Sequence, residues 1–290
     1  MPDTVVMNLA DGRGLAWVDI GPKRAPAVFA FHGTPGSRLQ VSFQEQVIEE
    51  AGVRLIAPDR PGYGHSTYHR NRTLADWAND VAQLADHLKI KRFSVIGVSG
   101  GGPHAVACAA LLPDRVVAAG IVSGVAPFSD PAMQSGDFMI GVNRLFVRLG
   151  NVSQRLLQPV FTAQDFALRH WPEKVIKAGL RSLPAPDAAV LSRPEVMAVF
   201  IDDARRASAT APAAAAQDFA LFGGDWGFRV EDIAVPVHIW HGDADRNVPI
   251  GHGRFFAERI PGAQLHECPG EAHLLAVDHL GEILATVAPV

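Results

Sequence analysis

The chain predicts an α/β fold: a mostly parallel, eight-stranded sheet with helices on both faces and a helical cap insertion. Three observations predict it. Short apolar runs alternate with helix-forming runs, joined by short connections, over residues 1–126. The run Ala27-Val28-Phe29-Ala30-Phe31 is apolar at every position, as a strand buried on both faces must be. The alternation then lapses over residues 127–220, where no buried strand is legible, and resumes over 221–290. An unstructured loop of that length is improbable, so 127–220 reads as a mostly helical cap between two parts of one core.

In chain order, residues 5–8 and 15–19 are short apolar runs separated by Asp11-Gly12, a turn pair, and read as a hairpin at a sheet edge. Residues 27–31 form the next strand, 42–50 a helix and 53–57 another strand. Thr73 starts a helix with Asp76 three residues on, close to a capping box. Leu74, Trp77, Val81, Leu84 and Leu88 repeat at helical spacing. Residues 93–96, running into the turn at 97–101, and residues 116–123 are strands around a small-residue helix ending near Leu111. In the insertion, 139–149, 163–171 and 194–206 read as helices, with Pro184, Pro186 and the alanine-rich stretch 209–216 as breaks. Strands at 237–240 and 264–268, a helix near 251–260 and a helix over 274–287 complete the core.

At 290 residues the chain can bury a large core, and 48% apolar with 19% charged residues is ordinary for an enzyme. A net charge of −4 offers no basic footprint for nucleic acid or an anionic membrane. The first residues lack a signal-peptide pattern and no stretch has the length of a membrane span, so a cytoplasmic location is expected. Cys108 and Cys268 read as buried small hydrophobes, not a disulfide. Oligomeric state is left open.

The chemistry centres on Gly97-Val98-Ser99-Gly100-Gly101, between a strand and a helix. A serine on a strained strand-to-helix turn exposes its hydroxyl, and side chains two positions either side would collide with neighbouring backbone. Such a serine needs a base and a group to orient it. In a parallel sheet the strands at 237–240 and 264–268 deliver their loops to the same edge as Ser99. The second loop carries His273, expected to be the general base. The first carries Asp243 and Asp245. Asp245 is favoured as the orienting carboxylate because it lies further into the loop, while Asp243 follows Gly242 closely enough to serve the turn; Asp130 is a remote third candidate.

Two N–H donors for a tetrahedral oxyanion are expected at Gly100 and, in the loop after strand 27–31, at Thr34, since Pro35 cannot donate. His32, Arg38, His104, Phe138 and Trp226 are candidate pocket residues, with Phe222 and Met139 beside them. Each has a plainer reading: His32 bonded to loop backbone, His104 packed, Arg38 and Arg60 solvated or paired with Asp59, the aromatics in the cap's own core. No metal or cofactor is called for. His266-Glu267 lacks the second histidine of a zinc motif, and glycines 100–102 lack the lysine of a phosphate loop.

The motifs HGTPG (32–36), PDRPGYGHS (58–66), GVSGGGPHA (97–105), HGDADRNVP (241–249) and GEAH (270–273) together resemble the α/β-hydrolase superfamily, single-domain type with a helical cap. That resemblance implies Ser99 as nucleophile, Asp245 as acid and His273 as base. The HGTPG loop is similar to the HGGPG of proline iminopeptidases, but Thr34 replaces the second glycine and Gly100 stands where those enzymes often carry tryptophan. Dehalogenases and epoxide hydrolases of this type use an aspartate at the position of Ser99. The expected activity is hydrolysis of a small carboxylic ester through an acyl-serine. Alternatives are an N-terminal aminopeptidase, a lactonase or a thioesterase, or, from another class, a cofactor-free lyase or oxygenase using His273 alone. The expected partner is a small-molecule substrate.

Overall fold

Gly12, at φ +86°, turns strand β1 (Val5–Asn8) back against β2 (Gly14–Ile20) in an antiparallel hairpin. The computed structural model describes residues 3–134 and 141–288. The chain continues through β3 (Ala27–Phe31), short helices α1 (Leu39–Ser42) and α2 (Glu45–Glu50), β4 (Arg54–Pro58), α3 (Leu74–His87), β5 (Phe93–Val98), α4 (Gly102–Leu111) and β6 (Val116–Val122). The cap helices follow: α5 (Pro131–Gln134), α6 (Gly141–Val152), α7 (Gln158–His170), α8 (Pro172–Leu180), α9 (Ala185–Leu191), α10 (Pro194–Arg206) and α11 (Ala211–Gly223). Then come β7 (Val237–Gly242), α12 (Gly251–Arg259), β8 (Gln264–Cys268) and α13 (Ala276–Val287).

The eight strands form one sheet in the order β1-β2-β4-β3-β5-β6-β7-β8. Only β2 runs against its neighbours; β3 to β8 are parallel. Side chains alternate across the sheet, as strand geometry requires. Phe29 and Phe31 enter a core with Trp77, Val106 and Phe256, while Val28 and Ala30 face one with Leu55, Ile96 and Leu284. Thr73 does cap α3, its hydroxyl accepting from the Asp76 N–H and the Asp76 carboxylate accepting from the Thr73 N–H. Cys108 and Cys268 are both free and buried. Among the described residues, no helix is long and apolar enough to cross a membrane.

The insertion is helical, but its internal reading needs correction. The alanine-rich stretch is no break: residues from Ala211 onward open α11, since alanine is the best helix former and Pro212 sits in the first turn, where its missing N–H costs nothing. Pro184 and Pro186 likewise stand at the start of α9. The run at 163–171 begins earlier, at Gln158. The last helix starts at Ala276, after a turn in which the Val277 N–H bonds the Leu274 carbonyl at 3.0 Å, and the Leu274 N–H is satisfied by the Asp187 carboxylate at 2.8 Å.

Candidate active site

Ser99 directly follows β5 at φ +54°, a left-handed conformation that non-glycine residues seldom adopt. The flanking glycines make that turn possible. A Cβ at Gly97 would lie 2.6 Å from the Gly101 carbonyl carbon, and one at Gly101 would lie 2.8 Å from the His32 carbonyl oxygen. No side chain fits at either position.

Three side chains from three loops meet here. The Asp245 carboxylate can only accept, so His273 donates its Nδ1–H to Asp245 Oδ2 at 2.7 Å. That tautomer leaves Nε2 bare, 2.9 Å from Ser99 Oγ, which donates to it. The other Asp245 oxygen accepts the backbone N–H groups of Asn247 at 2.8 Å and Val248 at 2.9 Å, which fixes the carboxylate. Burial opposes the charge of His273, but the adjacent Asp245 carboxylate outweighs it and raises the imidazole above its ordinary value. Burial also opposes the charge of Asp245, which His273 and the loop N–H groups nevertheless hold low. Asp243 instead accepts from the Gly270 N–H at 2.7 Å, tying the two loops together. Asp130 accepts from the Ala132 N–H at 2.8 Å.

The loop after β3, which carries Thr34, lies beside Ser99 because of sheet topology. The chain leaves β3 toward β4 on one side, whereas β5 leads to β6 on the other, so the carboxyl ends of β3 and β5 form a switch point. A Cβ at Gly33 would come 3.4 Å from Ser99 Cβ. Gly100 and Thr34 are in such close apposition that a Cβ at Gly100 would be 2.8 Å from Thr34 Cβ and 3.0 Å from the Phe222 ring. With threonine at 34, position 100 has no room for a larger residue, let alone tryptophan.

The remaining pocket candidates lie elsewhere. His32 is fully buried, donating from Nδ1 to the Gly33 carbonyl at 2.9 Å and accepting the Arg60 N–H on Nε2 at 3.0 Å. His104 is also buried, donating to the Gly100 carbonyl at 2.9 Å with its ring edge-on to Trp77. Burial and the nearby Arg60 charge hold both histidines far below their usual range, so both are neutral. Arg38 pairs with buried Asp59 at 2.6 Å, leaving no free guanidinium for a substrate. Trp226 packs beneath, against Phe228 and Phe256, with its indole N–H on the Leu221 carbonyl. Phe222 belongs to the cap's own core with Phe219 and Leu157. Phe138 and Met139 lie outside the described residues. Cys268, Glu271 and His279 offer donor atoms within 4.8 Å of one another, but the two His279 ring nitrogens already bond Glu271 and Glu282.

The sequence reading missed three cap aspartates that dock on loops around the site, two of them on the loop after β3 and its continuation. Asp218 on α11 is fully buried and accepts from Arg60 at 2.6 Å, from Thr34 Oγ1 at 2.6 Å, from Tyr63 at 2.8 Å and from Arg72. Arg60 also donates to the Gly33 carbonyl at 2.8 Å and to Thr34 Oγ1 at 2.7 Å. The loop after β3 is thus pinned by a cap residue through a buried ion cluster. Asp203 on α10 accepts from Ser37 and from Gln40 at 2.7 Å; burial pushes its carboxyl up to about 6. Asp187 on α9 holds the residue after His273. An acid inside an otherwise apolar helical run, as in Gln217-Asp218-Phe219, is the signal that could have found Asp218. Asp218→Asn is expected to destabilise the fold by about 3–5 kcal/mol, because Arg60 and Arg72 keep their buried charges without a counter-ion. Urea unfolding checks this, with a midpoint shift at unchanged slope.

A cavity of about 200 Å³ opens beside Ser99 and His273. Its walls include Phe43, Ile96, Leu274, Val277 and Leu280, with Gln40, Gln44 and Asn247 as polar members. Among the described residues, no carboxylate, lysine or arginine lines it.

Comparison with known proteins gives the same architecture. The family model described as alpha/beta hydrolase fold matches residues 26–280. A bifunctional esterase/perhydrolase of Acinetobacter calcoaceticus is 29% identical over 269 residues, covering 91% of this chain and 90% of its own. An epoxide hydrolase of Caballeronia sordidicola is 37% identical, but over 93 residues, 31% of this chain and 28% of that one. The structure of a thermophilic esterase from Thermogutta terrifontis superposes with a TM-score of 0.72 at 21% identity, covering 98% of this chain and 96% of that one.

Proposed function

The chain belongs to the alpha/beta hydrolase fold family, and from that membership and the geometry at Ser99 we propose that it hydrolyses small carboxylic esters through an acyl-Ser99 intermediate. The observation that carries this reading is the continuous bonding from Ser99 Oγ through His273 to Asp245, with both links between 2.7 and 2.9 Å. In the first half-reaction Ser99 Oγ attacks the ester carbonyl while its proton passes to His273 Nε2. The resulting oxyanion faces the N–H groups of Thr34 and Gly100. Collapse breaks the bond to the alkoxy group, which leaves as the alcohol with the proton from His273. Water then attacks the acyl-enzyme with His273 again as base, releasing the acid and restoring Ser99.

Family membership alone admits several chemistries. The similarity to an epoxide hydrolase is not followed, because Ser99 occupies the nucleophile's position and epoxide opening through an alkyl-enzyme ester needs an aspartate there. Among the described residues the cavity wall carries no carboxylate, lysine or arginine, which favours a neutral group next to the scissile bond and argues for an ester over a peptide with a free N-terminal amine. The relative that matches over most of both chains is named an esterase/perhydrolase, in keeping with acyl transfer.

A panel of esters, thioesters, lactones and aminoacyl arylamides with matched acyl groups tests the reading. Esters are expected to give the highest kcat/KM. Turnover confined to aminoacyl arylamides would replace the esterase reading with an aminopeptidase.

A further inference from the structure

The structure assigns the cavity under the cap as a second substrate subsite, taking a bulky, neutral, apolar acyl group. This inference rests on the esterase reading and names the substrate class for the same site. The cap cavity has a volume of about 230 Å³ and is walled by Phe161, Leu168, Ile176, Phe200 and the alanines at 207, 211 and 215. It shares Pro35, Gln40 and Phe200 with the 200 Å³ cavity that holds Ser99, so the two chambers adjoin along those residues. Either alone is smaller than the roughly 300–1,000 Å³ of ordinary small-molecule sites; the pair together reaches that range.

Chemistry assigns an occupant to each chamber. His273 hands its proton to the leaving oxygen, so the leaving group must lie on the His273 side. That chamber's wall is the segment directly after the base, including Leu274, Ala276 and Val277. The acyl group, across the tetrahedral centre, then runs along the continuation of the donor loop, Pro35 and Gly36, which lines the cap cavity.

Among the described residues both acids in that cavity are already engaged, Asp203 by Ser37 and Gln40 and Asp165 by Arg169 at 2.7 Å, so none of them is a free carboxylate awaiting a cation. Gln40 is a fixed wall. Its amide is bonded to Asp203 at 2.7 Å and lies over Gly36, where a Cβ would come within 2.7 Å of it.

The test keeps one leaving group and varies the acyl part: p-nitrophenyl acetate against p-nitrophenyl cyclohexanecarboxylate, with Ser99→Ala as control. The readout is the ratio of kcat/KM, cyclohexanecarboxylate over acetate. Ala204→Phe and Ala207→Phe, which fill the cap cavity, are expected to lower that ratio at least tenfold, and Phe200→Ala to raise it. A ratio within twofold of wild type in both filling variants, each shown to be folded by its urea midpoint, overturns the subsite. So does a preference for an ester carrying a free ammonium group over its neutral isostere. Acetate turnover that survives Ser99→Ala overturns the acyl-Ser99 reading itself and is distinguishable from either result.

Discussion

Ser99→Ala is expected to lower kcat for a short p-nitrophenyl ester by about a millionfold, the scale seen when a serine protease loses its nucleophile. Residual turnover should reflect only binding and the N–H donors at Thr34 and Gly100. The same position carries a stability prediction of opposite sign. Ser99 sits at φ +54°, a conformation costing an L-residue about 1–2 kcal/mol. Glycine there is free of that cost and loses only about 0.5–1 kcal/mol of extra chain entropy on folding. Ser99→Gly should therefore be as inactive as Ser99→Ala yet unfold at higher urea concentration. Equal midpoints would mean that the turn stores no strain.

The second large effect is expected from Asp245→Asn, with kcat falling by about 10⁴-fold. The amide can present an N–H to His273 Nδ1, which forces the proton onto Nε2 and removes the lone pair that receives the Ser99 proton. The pH profile should move with it. In the proposed mechanism the base is neutral His273, so activity should be lost as pH falls through the imidazole pKa. Asp245 raises that pKa, placing the acid limb of kcat/KM above the ordinary histidine value. Removing the carboxylate charge lowers the pKa and shifts the limb to more acidic pH. A limb unmoved by Asp245→Asn would show that another group controls it.

Ser99, His273 and Asp245 were legible because each follows a strand of a parallel sheet, and strand order alone brings those loops to one edge. Thr34 was legible for the same reason, since its loop follows β3. The cap was readable as helix but not as contact. Asp218, Asp203 and Asp187 acquire their roles from the core loops they dock against, and that docking is set by tertiary packing no local pattern encodes. Arg60 shows the limit. Its guanidinium reads from sequence as solvated or as a partner for Asp59, whereas it pairs with Asp218, 158 residues away. His32 and His104 illustrate the converse: conspicuous residues near a motif became buried supports of the loop and turn backbone, while Trp226 packs in the core against Phe228 and Phe256. The alanine-rich stretch was misread because low side-chain complexity resembles a linker, although alanine itself favours helix.

The central claim is an acyl-enzyme common to all esters of one acid, and partitioning tests it most directly. With a fixed concentration of methanol present, the p-nitrophenyl, phenyl and ethyl esters of the same acid are hydrolysed and the ratio of methyl ester to free acid is measured. An acyl-Ser99 intermediate has already lost its leaving group, so the three substrates should give one ratio. A ratio that changes with the leaving group, or the absence of ester turnover, would contradict the account.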